Sequence, residues 1–86
     1  MRLCGRNHLD ALKLSSPSSV AWINSWLADL DSVMWKSIHE VKNHYPSAYS
    51  ADGRSFIFKV DGCNAVIETI IDFNLLVVLV TSTKVM

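Results

Sequence analysis

The hydrophobic period of this chain changes once, at Pro46, and that change constrains the fold more than any other feature. Before it, Val20, Ile23, Leu27 and Leu30 recur at spacings of three and four and mark one helical face. Trp22 and Trp26 fall on the flank of that face, which widens the apolar stripe to roughly 160° at about 100° per residue. Met34, Ile38, Val41 and Tyr45 repeat the pattern in a third, shorter helix, which Asp31 or Ser32 can cap and Pro46 ends. After Pro46 the period is two. Phe56, Phe58 and Val60 share one face of a strand. Ala65, Ile67, Thr69, Ile71 and Phe73 share one side of the next, with Val66, Glu68, Ile70 and Asp72 on the other. A helical stripe cannot be buried as a strand, nor an alternating one as a helix. The order therefore predicts an α+β fold, with N-terminal helices packed on a C-terminal antiparallel β-sheet.

Local signals place the remaining boundaries. Met1 to Gly5 is compatible with a short strand, and His8, Leu9 and Leu12, with Leu14 at the end, predict a short first helix. The cluster Ser15 to Ser19 breaks it, with Pro17 tolerated at a first helical position. Asp61-Gly62 is a hairpin corner, since glycine accepts positive φ. A second turn is expected near Asn74, and "LLVVLV", Leu75 to Val80, reads as a central strand buried on both faces.

With 86 residues the chain is expected to be a single domain, 1–86, with a core that a partner could complete. Half of it is hydrophobic and 19% charged, an apolar surplus that can leave a contact patch on the surface. Trp22 and Trp26 then have two readings, core residues or an exposed anchor for a partner. Eight basic residues balance eight acidic ones without a basic run, which argues against a nucleic-acid binder. The six-residue apolar run Leu75 to Val80 falls far short of the about 20 residues of a membrane span. "MRLCGRNHLD" has no apolar core of an export signal, and Cys4 and Cys63 form no Cys-x-x-Cys pair. A cytoplasmic protein with two free thiols is the expectation.

No familiar catalytic pattern is present. His39-Glu40 and His44 stand at i and i+5, about 140° apart on a helix, whereas the zinc-protease motif needs i and i+4. No serine sits in a Gly-x-Ser-x-Gly elbow, and three scattered glycines make no phosphate loop. Glu68 and Asp72 share a strand face and read as a polar edge, or as salt-bridge partners of Lys59 or Arg54. Neither metal nor cofactor is expected.

One ordered set of features nonetheless has a counterpart. Trp35 opens the third helix, and "EVKNHYPSA" follows with Tyr45-Pro46-Ser47-Ala48. A loop with Gly53 leads to Arg54 and the Phe-rich "FIFKV", then Gly62 at the corner, while "AWINSW" lies upstream. From about Ala21 to Val80 the chain resembles the HigB family of bacterial toxins, within the RelE-like group of ribosome-dependent mRNA interferases. The resemblance implies an α+β fold and a surface that meets an antitoxin. Such enzymes bind codon and ribosomal RNA with Lys and Arg, and cut the phosphodiester with basic side chains and late His or Tyr/Asp residues. The chemistry needs fixed cations to neutralise the charge of the phosphorane.

This chain departs from the pattern there. Where the family reads Asn-Lys-Tyr-Arg after the hairpin glycine, it has Cys63-Asn64-Ala65-Val66. Thr81 replaces an arginine on the last strand, and Lys84 is the one cation in the closing segment, where a His-x-x-Tyr-Asp run is expected. The resemblance therefore implies a catalytically silent protein that works by binding protein. It would be a toxin-antitoxin-derived regulator, or a phage or mobile-element inhibitor of a larger nucleoprotein complex (an anti-CRISPR type). Trp22, Trp26, Trp35, Tyr45 and Tyr49 are the expected contact residues, and association as a homodimer is compatible with them. The alternative is an active mRNA interferase of a type II toxin-antitoxin system, binding RNA and the ribosome and using Arg54, Lys59, Lys84 and His44.

Overall fold

The computed structural model describes residues 1–50 and 52–85. In chain order the elements are β1 (Arg2–Cys4), α1 (Arg6–Ser15), a single 3-10 turn (Pro17–Ser19), α2 (Val20–Ser32), α3 (Ile38–His44), β2 (Ser55–Val60), β3 (Ala65–Asp72) and β4 (Val77–Val85). The fold is α+β. Three helices pack on one face of a four-stranded sheet of order β1-β4-β3-β2. β2, β3 and β4 form the antiparallel meander that the alternating sequence predicts. β1 joins β4 in parallel, so the sheet is mixed rather than purely antiparallel. A parallel pair needs a long crossover, and here everything between β1 and β4 supplies it.

The core lies between the helices and the sheet. Leu9 and Leu12 of α1 and Ile23, Trp26 and Leu30 of α2 meet Phe56, Phe58, Val60, Ile67, Ile71, Val78 and Val80. Thr69, the polar residue on that face of β3, is buried, and its hydroxyl donates to the Phe56 carbonyl at 3.0 Å. The passage from β1 into α1 depends on Gly5. Its φ is +86°, and a Cβ there would overlap the Val80 carbonyl oxygen. Only glycine combines that angle with that approach.

Three expectations are corrected. The third helix begins at Ile38, because α2 runs through Ser32 and Val33 is extended (φ −97°, ψ 154°). Asp31 and Ser32 therefore end α2 instead of capping α3. The Met1 nitrogen donates to the Leu30 and Val33 carbonyls, 2.7 Å each, satisfying the end of α2 and tying β1 to it. Ser37 precedes α3, and the Glu40 carboxylate accepts the Lys36 backbone N–H. Trp35 does not open α3. It lies in the connecting segment and stacks on Phe58, while Met34 faces solvent.

The second correction concerns "LLVVLV". β4 is central in strand order, but only Val78 and Val80 are buried, and Leu79 is 41% exposed. Helices cover one face of the sheet, and among the described residues none covers the other. Leu75 and Leu76 belong to the turn, where Leu76 takes φ +56°. The Asp72 carboxylate shapes that turn by accepting the Asn74 and Leu75 N–H groups at 2.9 Å. Third, the β2–β3 connection spans Asp61 to Asn64, with Gly62 at φ +91°, so it is longer than a two-residue corner. No helix among the described residues is long and apolar enough to cross a membrane.

Candidate binding face of the sheet

Alternation along each strand sends every second side chain away from the helices. The pairing register assembles those side chains into rows. Ser55, Ile70, Leu79 and Cys4 make one row, and Ile57, Glu68 and Ser82 the next. Lys59, Val66 and Lys84 make a third. Tyr49 extends the second row, because its N–H donates to the Ile57 carbonyl at 3.0 Å and its carbonyl accepts the Ile57 N–H at 2.8 Å. The open face is thus four segments wide at this level.

Its middle is apolar. Tyr49 is 60% exposed, Leu79 41% and Ile70 36%, with Ile57, Val66, Val77 and Cys4 half-buried beside them. One end is charged. The Glu68 carboxylate accepts the Ser82 hydroxyl and pairs with Lys84 Nζ at 3.5 Å. The hydrogen bond from Ser82, and then the charge of Lys84, hold its acid below the ordinary carboxylate range. The expected partners of Glu68, Lys59 or Arg54, are therefore replaced by Lys84 across the other edge of β3, and Asp72 serves the turn. Thr81 sits at a register shift between β3 and β4, is exposed, and donates its hydroxyl to the Glu68 carbonyl at 3.1 Å.

The four residues an active nuclease would use do not converge. Lys59 and Lys84 share a row, about 10 Å apart at two strand spacings. Arg54 lies just before β2, five residues and roughly 16 Å from Lys59, and on the opposite side of the alternation. It borders a shallow depression with Ile71, Asp72, Phe73 and Asn74. His44 is on the helical side, at the end of α3, with Nε2 3.4 Å from the Asp29 carboxylate.

Four of the five expected contact residues make one aromatic cluster instead. Trp22 stacks on Trp26 at 6.1 Å, and Trp26, Trp35 and Tyr45 surround Phe58 at 5.3 to 6.2 Å. Trp26 has no exposed surface and Trp35 almost none, so both serve the core. Trp22 and Tyr45 are half-buried. The Tyr45 hydroxyl donates to Asp29, and His44 stacks on its ring at 4.8 Å. Burial, then the bond to Asp29 and its charge, push the Tyr45 phenol well above its ordinary pKa. Of the five, Tyr49 alone lies on the open face.

Sequence reasoning missed Ile57, Ile70 and Leu79 as surface residues. The signal for Ile70 was present, since it stands between Glu68 and Asp72 on the polar side of β3. For Leu79 the all-apolar run hid it. Among the described residues no group of three or more His, Cys, Asp or Glu side chains could hold a metal ion, and Cys4 and Cys63 are unbridged. In comparison with known proteins, the chain matches no family model and no curated protein.

Proposed function

We propose that this chain is a protein-binding domain with a HigB-like fold and a silent nuclease site, and that it receives its partner on the open sheet face. One observation carries the proposal. The uncovered side of the sheet presents Tyr49, Ile70 and Leu79 as its most exposed apolar side chains, flanked by a cation already engaged by Glu68. An apolar centre with a polar rim is the composition of a protein interface. RNA would require several free cations, and formal net charge is zero. Asn64, Val66 and Thr81 stand where the resemblance calls for Lys, Arg and Arg, which supports the silent reading. On that resemblance the partner is an antitoxin-type chain, with this protein a toxin-antitoxin-derived regulator. The same face would serve a mobile-element inhibitor of a nucleoprotein complex, of anti-CRISPR type, acting on a protein subunit of that complex.

The shared row of Lys59 and Lys84 favours the second reading, an active mRNA interferase. One experiment separates the two. The tagged chain and its Tyr49→Ala/Leu79→Ser variant are induced in a bacterial host, with pull-down and genome-wide mapping of mRNA 5′ ends from the same cultures. The binding reading expects a captured protein that the variant loses and no new 5′ ends. Codon-phased cleavages that disappear in Lys59→Ala or Lys84→Ala would overturn it.

A further inference from the structure

β4 is nine residues long, yet β1 pairs with only its first three, Val77 to Leu79. Gly5 then stands against Val80 and the chain turns into α1. From Ser82 to Val85, β4 is paired with β3 on one side, through Glu68, Ile67, Val66 and Ala65. On the other side, among the described residues, no strand pairs with Thr81 to Val85. Thr81, Lys84 and Val85 are exposed. Backbone N–H and C=O groups along such an edge are a template for another strand.

We propose that Thr81 to Val85 is a homodimerisation edge, on which β4 of a second copy pairs antiparallel and joins two four-stranded sheets into one of eight. The proposal concerns a different surface from the open face and does not rest on the partner reading. Its register follows from charge. A two-fold axis at Thr83, the midpoint of the free segment, sets Thr81 against Val85, Ser82 against Lys84 and Thr83 against its own copy. A shift one way would place Lys84 against Lys84, and like charges directly opposite are destabilising. A shift the other way would place Lys84 of the second copy against Val80, where Gly5 already stands. In the favoured register, Lys84 of the second copy lies beside Ser82, whose other neighbour is Glu68. Two strand spacings, about 10 Å, are within the joint reach of a lysine and a glutamate. Each Glu68 then lies between two lysines, one from each copy. The zero net charge adds no long-range repulsion. Five residues a side bury well under the ~1,200 Å² of a stable complex, so the dimer is weak and concentration-dependent. Where it forms, it makes the two open faces one continuous surface.

The test combines association with capture. Sedimentation of the intact protein from low micromolar to about 1 mM is expected to show a monomer–dimer equilibrium. Lys84→Glu, folded by circular dichroism, is expected to weaken it at least tenfold. In a Cys4→Ala/Cys63→Ala background, Thr83→Cys is expected to give a disulfide-linked dimer with the oxidant diamide, whereas Lys36→Cys on the exposed helix connection does not. Should Thr83→Cys fold poorly, Thr81→Cys with Val85→Cys reports the same register, being too far apart to join within one strand. A monomer at every concentration, a Lys84→Glu protein that dimerises as well as wild type, or a dimer that neither cysteine set captures would each overturn the proposal.

Discussion

Replacing Gly5 by alanine tests how β1, β4 and α1 are joined. At φ +86° an L-residue pays the left-handed penalty of about 1–2 kcal/mol. The loss of chain entropy in the unfolded state offsets roughly 0.4–1 kcal/mol of that. The larger effect is steric. The new Cβ would overlap the Val80 carbonyl oxygen and lie 3.2 Å from its carbon, and both atoms are backbone of a central strand. They can yield only if β4 or the start of α1 shifts, and such overpacking typically costs about 1–3 kcal/mol. The net expectation is a loss of roughly 2–4 kcal/mol. For a domain of this length the whole stability is of the order of 4–13 kcal/mol. At about 4–8 °C per kcal/mol, the melting temperature should fall by roughly 8–32 °C. Urea unfolding followed by tryptophan fluorescence measures the difference, since Trp26 and Trp35 are buried and report the core. Arg6→Ala, at the exposed next position, is the control and should change little. A Gly5→Ala protein within about 0.5 kcal/mol of wild type would refute the close approach.

Trp26→Ala should destabilise by about 3–5 kcal/mol, as deletion of a fully buried aromatic does, and circular dichroism at increasing urea checks it. Tyr45→Phe should cost about 1–2 kcal/mol through its lost bond to Asp29. Because the fold raises the Tyr45 pKa, that contribution is intact below the unfolded phenol value of about 10 and declines as pH rises above it. The alkaline loss of stability should therefore be shallower in Tyr45→Phe, as read by urea midpoints between neutral and alkaline pH. Glu68 behaves in the opposite sense. Its lowered pKa gives stability that is present above the ordinary carboxylate range and lost on acidification, so Glu68→Gln should flatten the acid limb of the same profile. Tyr49→Ala and Leu79→Ser should each leave the melting temperature nearly unchanged, since both side chains face solvent, while partner capture falls.

Particular elements show where the sequence was readable. α2 and the buried sides of β2 and β3 followed from period alone, because each has one apolar face and one polar face to mark its orientation. The spacing starts α3 too early: Met34 fits the helical stripe, but the backbone at Val33 is extended and α3 begins only at Ile38. Pattern does not record such a break. From sequence Trp35 and Tyr45 are equally contact residues and core residues, because large aromatics suit both cores and interfaces. Their cluster around Phe58 brings together Trp26 of α2, Trp35 of the segment between α2 and α3, Tyr45 just after α3 and a residue of β2, which no local spacing connects. For the same reason the Asp29–Tyr45 bond, sixteen residues apart in sequence, was invisible.

The sequence by itself determined the layer order and the main core faces, since burying an apolar stripe depends on the local period of the backbone. It also determined the absence of lysine and arginine at positions 64, 66 and 81, which is a matter of composition at fixed places. Only the tertiary structure decided that β1 pairs in parallel with β4, and that β4 extends past it as an edge with no second pairing strand among the described residues. It likewise decided that Leu79 faces solvent although it sits within an apolar run, that Lys84 rather than Lys59 meets Glu68, and that Trp26 and Trp35 are core. These are long-range choices, fixed by which side of the sheet the helices occupy and by the register of strands far apart in sequence.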